Sequence, residues 1–164
     1  MKLLAAVIIA SALADLGWGF VDAKIRREFP EVKRISTDEL ARKIDNHKQT
    51  PPVLLDVRTQ PEFDVSHLRN AQRVEPDSAA SSIDLPKDRA IVTYCSVGYR
   101  SGKLAQRLMK AGYTNVTNLE GSIFRWANED RPIYRGNERV IKVHPYNGVW
   151  GKLLDPAHRA SAAK

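Results

Sequence analysis

Four short runs divide the chain. They are VLLDV from Val53 to Val57, AQRV from Ala71 to Val74, AIVTY from Ala90 to Tyr94 and NVTNL from Asn115 to Leu119. The first and third are almost continuously apolar, the pattern of strands covered on both faces. Helical patterns lie between the runs. Ser36-Thr37-Asp38-Glu39 has the form of a capping box and starts a helix that carries Leu40 and Ile44 on one face. Pro61 opens a short helical turn over PEFDVSHL. Arg100 to Ala111 places Leu104, Leu108 and Ala111 on one side and stops at Gly112, and Ser122 to Asn128 forms one more helix before Pro132. Strands alternating with helices predict an α/β fold, a central mostly parallel sheet flanked by helices.

The two ends differ from this middle. Residues 35–130 hold thirteen basic and thirteen acidic side chains, whereas the chain from Arg131 onward holds seven basic and two acidic, so the tail carries most of the +7 net charge. Nucleic-acid binding calls for a basic stripe on the folded domain itself, so no nucleic-acid partner is expected. The tail VIKVHPYNGVWGKLLDP spaces Val143, Tyr146, Val149 and Trp150 among polar residues and is expected to wrap the domain. At the other end, Leu3 to Ala14 is uncharged and closes on Ala12-Leu13-Ala14, like the cleavage site of an export signal. Reading on through Asp15 to Val21 reaches the ~20 residues of a span. Lys24, Arg26, Arg27, Lys33 and Arg34 follow, which resists translocation of the downstream part. A membrane anchor, an export signal and a helix packed on a cytoplasmic domain are the three readings, and membrane association through this segment is the favoured expectation. The expected organisation is residues 1–34 as an apolar segment with a basic linker, 35–133 as the domain, and 134–164 as a basic tail.

One side chain carries the chemistry. Cys95 is the single cysteine, so no internal disulfide is available, and no His/Cys cluster has metal-ligand spacing. It stands where the third strand ends and a helix begins, in Cys95-Ser96-Val97-Gly98-Tyr99-Arg100. Ligands of an open parallel sheet sit beyond the carboxyl ends of its strands. Loop amides and a helix N-terminus there make a positive nest that suits an anion and lowers a thiol's pKa. Gly98 gives the loop backbone angles that other residues resist. The inert alternative is a buried structural thiol.

The segments LLDVRTQPEFDVSHLRNAQRV, IVTYCSVGYRSGKLAQRLMKAGYTNV and NLEGSIFRWANEDRPI together resemble the rhodanese, or sulfurtransferase, domain over about Ile35 to Ile133. Ser66 and Asn70 stand where that family usually carries glycine. The resemblance implies a rhodanese-like fold with the active-site loop between a strand end and a helix N-terminus, and Cys95 as the sulfur carrier. Cysteine-dependent phosphatases place five residues between cysteine and arginine. Four separate Cys95 from Arg100, which by resemblance fits sulfane sulfur rather than phosphate.

What this implies is a two-step covalent transfer without metal or cofactor. The Cys95 thiolate takes sulfur from a small anionic donor such as thiosulfate, and a thiol or protein acceptor removes it. The persulfide rests on the loop of Ser96, Val97, Gly98, Tyr99, Arg100 and Ser101, with Arg100 suited to the anionic donor and Ser96 and Tyr99 to hydrogen bonding at the rim. Asp56 and Arg58 support the site, with Arg58 expected to pair with Glu62 and Asp56 to accept backbone amides. His67 is expected to hold a turn. A non-enzymatic persulfide carrier or protein-interaction module uses the same cysteine and is the alternative.

Overall fold

The computed structural model describes residues 17–161. Five parallel strands form the central sheet in the order β1-β5-β4-β2-β3. They are β1 (Arg34–Ile35), β2 (Val53–Asp56), β3 (Gln72–Arg73), β4 (Ile91–Tyr94) and β5 (Val116–Leu119). Every residue of β4 is buried, because β2 and β5 flank it and helices cover both faces. That double burial explains its unbroken apolar run.

Helices α2 (Thr37–Asp45), α3 (Gln60–Val65), α4 (Tyr99–Lys110) and α5 (Ser122–Asn128) fall where the patterns place them. Ser36 caps α2 by accepting the Glu39 amide at 3.1 Å. The two glycine replacements also find an account. Asn70 adopts φ 59°, in the left-handed region that asparagine tolerates, whereas Ser66 at φ −172° is extended and needs no glycine.

The N-terminal expectation requires correction. Residues 17–28 form a helix, α1, whose Val21 and Ile25 continue to Phe29 as a buried stripe at a spacing of four. Ile25 packs toward Gly98, Phe29 lies against Gly102 and the Tyr99 ring, and Asp22 accepts from Arg125 of α5 at 3.0 Å. Removing such side chains from water contributes roughly 1.5–3 kcal/mol each. Val21, the end of the expected span, is therefore seated on protein, and among the described residues no helix is long and apolar enough to cross a membrane. The favoured membrane attachment is withdrawn. The run from Leu3 to Ala14 lies outside the described residues.

Beyond α5 the chain forms an antiparallel hairpin, β6 (Ile133–Arg135) and β7 (Glu138–Val140). Gly136 leads its two-residue loop with φ 58°, as such turns require. His67 and Tyr134 exchange two backbone hydrogen bonds of 2.8 Å, which tie the hairpin to the turn after α3. The tail then packs on the domain through Val143 and Leu154, both fully buried. Asn128 of α5 holds it by donating to the Leu153 carbonyl and accepting the Asp155 amide, each at 2.9 Å.

Candidate active site around Cys95

Cys95 is the first residue beyond β4, at the carboxyl edge of the sheet, and its side chain is buried. Its Sγ accepts the Gly98 amide at 3.2 Å. Three carbonyls of the loop are held from behind. The Ile123 amide donates to Cys95 O at 3.2 Å, the Phe124 amide to Ser96 O at 3.1 Å, and Asn118 Nδ2 to Gly98 O at 2.8 Å. In a trans peptide the N–H points opposite the carbonyl, so the Ser96, Val97 and Tyr99 amides turn away from these anchors. Gly98 permits the turn at φ 113°, and a Cβ there would lie 3.1 Å from Ile25 Cδ1. The Cys95 amide is occupied separately, donating to Ser122 Oγ at 3.1 Å.

The Arg100 guanidinium makes a bidentate pair with Glu62, Nη1 to Oε2 at 2.8 Å and Nη2 to Oε1 at 2.6 Å. Ser96 Oγ completes the group, donating to Glu62 at 3.0 Å and accepting from Arg100 at 3.0 Å. Glu62 also accepts the Thr59 amide and hydroxyl at 3.0 and 2.8 Å, which makes Thr59-x-x-Glu62 the capping box of α3. Burial pushes the Glu62 carboxyl up, but Arg100 and Thr59 outweigh it and hold its pKa at about 2. The Cys95 thiol follows the same logic. Burial pushes it up, while the Arg100 charge, the Ser101 amide and hydroxyl, and the Gly98 amide bring it below its ordinary value. The buried Ser101 hydroxyl has no hydrogen-bond partner of regular geometry, so it remains available to the sulfur.

Asp56 and Arg58 form a different unit. Arg58 pairs with Asp56, Nε to Oδ1 at 2.9 Å and Nη2 to Oδ2 at 2.6 Å, with both side chains fully buried. The expected Arg58–Glu62 ion pair is not formed, and only the Glu62 carbonyl meets Arg58, at 3.4 Å. Arg58 also donates to the Ser66 carbonyl at 2.6 Å, so this pair holds the α3 turn rather than the Cys95 loop. His67 holds the same region, bonding the Leu68 carbonyl through Nδ1 and the Gly136 amide through Nε2. The Tyr99 hydroxyl donates to Glu28 of α1 at 2.5 Å.

A cavity of about 240 Å³ opens over Cys95. Loop residues Ser96, Val97, Tyr99 and Arg100 line one side, and Val21, Lys24 and Ile25 of α1 face Tyr146 and Trp150 of the tail on the others. None of those five flanking residues was a sequence-derived site candidate. The stripe of Val21, Ile25 and Phe29 was the available signal for α1, but nothing in the tail pattern pointed to the cysteine. Among the described residues no cluster of three or more His, Cys, Asp or Glu side chains is placed to hold a metal ion.

The family model of the Rhodanese-like domain matches residues 36–129, more than half of the chain. The probable adenylyltransferase/sulfurtransferase MoeZ of Mycobacterium tuberculosis is 37% identical over 83 residues, covering 48% of this chain and 21% of that protein. This chain therefore spans about a fifth of that relative's length. A sulfurtransferase of Allochromatium vinosum is 32% identical over 110 residues, covering 62% of this chain and 94% of its own. Among solved structures, a rhodanese-like domain protein from Staphylococcus aureus superposes with a TM-score of 0.53 at 29% identity, covering 58% of this chain and 91% of that one.

Proposed function

Because this chain belongs to the family of rhodanese-like domains, we propose that it is a sulfurtransferase that moves sulfane sulfur from thiosulfate or a related donor to a thiophilic acceptor through a persulfide on Cys95. Sulfurtransferase-type activity in general is what the relatives support. The donor and the route through Cys95 are our reading. The observation that carries it is a buried thiol with its pKa lowered, facing the Gly98 amide, Ser101 and the Arg100 charge.

In the first step the Cys95 thiolate attacks the outer sulfur of thiosulfate. A Cys95–sulfur bond forms, the donor's S–S bond breaks, and sulfite leaves with the electron pair. The persulfide keeps one negative charge, which the amides from Ser96 to Ser101 stabilise as fixed dipoles. An acceptor thiolate then attacks the outer sulfur, and Cys95 leaves as thiolate. Arg100 contributes as a positive charge beside the sulfur, since its Nη atoms are engaged by Glu62. Asp56 and Arg58 act as positioning residues for the α3 turn. Residues 35–133 are the proposed catalytic unit, with residues 1–34 and 134–164 as flanking segments.

Mass spectrometry after thiosulfate treatment should find one added sulfur atom, located on Cys95. Cys95→Ser should keep the fold and lose both the adduct and the transfer of sulfur to cyanide. Transfer by the serine variant at more than a trace would refute the covalent route. Stoichiometric loading without steady-state turnover would make the chain a carrier rather than an enzyme.

A further inference from the structure

The tail forms a second cavity, of about 370 Å³, which shares only Tyr146 with the cavity over Cys95. Hydrogen bonds fix its frame. The Val143 amide donates to the His158 carbonyl at 2.7 Å, and the Ala160 amide returns to the Val143 carbonyl at 2.9 Å. Asn147 Oδ1 accepts the Val149 and Trp150 amides at 3.0 and 2.9 Å. Gly151 lies so close to Pro145 that a Cβ there would stand 2.8 Å from Pro145 Cβ. Tyr146 holds φ 64°, a left-handed conformation that is strained for a residue with this side chain, and His144 secures it by accepting the Tyr146 amide through Nδ1 at 3.0 Å.

Two basic side chains line this cavity, and both keep unused donors. Arg159 donates through Nη2 to the Leu154 carbonyl at 2.7 Å, but its buried Nε has no partner, and among the described residues no carboxylate pairs with it. His144 accepts through Nδ1, so its proton lies on Nε2 and the imidazole is a neutral donor. No carboxylate lines the walls, and the two acids beyond Arg131, Glu138 and Asp155, are not among the lining residues. A guanidinium with unmet donors carries a desolvation cost that an oxyanion removes through charge-assisted hydrogen bonds. Pro145, the Tyr146 side chain and Ala160 supply apolar wall.

We infer that this cavity is a binding site for a small organic monoanion of the carboxylate type. Arg159 holds the charged head, His144 is the second donor, and Pro145 and Tyr146 receive the body. One cationic side chain beside a neutral imidazole matches one negative charge. An apolar cavity of roughly 150 Å³ already accommodates a benzene ring, so a body of that size with its carboxylate fits within about 370 Å³. The inference goes beyond the sulfurtransferase reading and needs no sulfur on Cys95.

The test follows the backbone amides of the full chain by NMR while benzoate, its uncharged isostere benzamide, or inorganic phosphate is titrated in. Benzoate should shift the Gly148, Gly151 and Ala160 amides along one saturating curve. Benzamide, which lacks the charge, and phosphate, which lacks the ring, should each bind about tenfold more weakly or worse. Arg159→Gln should weaken benzoate about tenfold. That substitution also removes the bond to Leu154, so His144→Asp serves as the second variant. Its carboxylate can still accept the Tyr146 amide, as in an Asx turn, but it sets a negative charge beside the head. The spectrum should stay that of the folded chain while benzoate binding is lost. Benzamide binding as tightly as benzoate, or benzoate binding unchanged in both variants, would overturn the inference. Phosphate binding as tightly as benzoate would overturn the organic body. Shifts confined to the amides from Ser96 to Ser101 would place the anion in the Cys95 loop and overturn the tail site, while leaving the sulfurtransferase reading standing.

Discussion

Replacing Glu62 by glutamine keeps its shape and can preserve part of the α3 capping box, but it removes the negative charge beside Arg100. The carboxylate is buried, receives two hydrogen bonds from Arg100 and two from Thr59, and titrates at about 2 instead of 4.5. At ~1.4 kcal/mol per pH unit that shift corresponds to roughly 3 kcal/mol of folding stability at neutral pH. Arg100 is one-fifth exposed, so solvent screens part of the pair and about 2 kcal/mol is the expected loss in Glu62→Gln. The folded-state pKa is depressed, so this stability is present above pH 4.5 and is lost as the pH falls toward 2. Urea unfolding of both proteins at a series of pH values measures the difference directly. It should be largest at pH 7 and shrink steadily in acid below about pH 4.5. A gap that stays constant down to the lowest pH at which both proteins fold would show that the ion pair does not supply the difference.

Two further expectations concern the loop. The pKa of the Cys95 thiol is lowered, so its reactive thiolate persists as the pH falls and is lost only below that pKa. Arg100 supplies the largest of the lowering contributions that overcome burial, so Arg100→Gln should move the inflection of an iodoacetamide rate–pH profile upward; an unmoved inflection would reject this role. Gly98→Ala forces a Cβ onto a residue at φ 113° and toward Ile25 Cδ1, and should cost about 1–3 kcal/mol in urea unfolding together with most of the sulfur loading. Retention of full loading would mean that the loop tolerates another shape.

The sheet's inner strands and the place of the cysteine are legible in the amino-acid pattern alone. β2 and β4 lie between neighbours and under helices, so nearly every residue must be apolar, and such a run is visible without a structure. Cys95 follows from where that run ends. The short edge strand β1 spans two residues and carries too little pattern to be seen. The β6–β7 hairpin has mostly exposed residues in β7, and its one legible sign is Gly136-Asn137. Ion-pair partners were decided by the tertiary structure. Arg58 and Glu62 are close in sequence and invited a local pairing, but Arg58 turns back onto Asp56, and Glu62 meets Arg100 from 38 positions away because α3 and the start of α4 converge at the sheet edge. Hydrophobicity likewise left α1 ambiguous, since lipid and a protein core solvate a valine or isoleucine equally well. The apolar surface offered by Phe29's neighbours Tyr99 and Gly102, and the Arg125 partner for Asp22, settle residues 17–28 as a helix packed on the domain. The approach of that helix and the tail from opposite ends of the chain gives the cysteine its apolar cavity, a juxtaposition that no local pattern encodes.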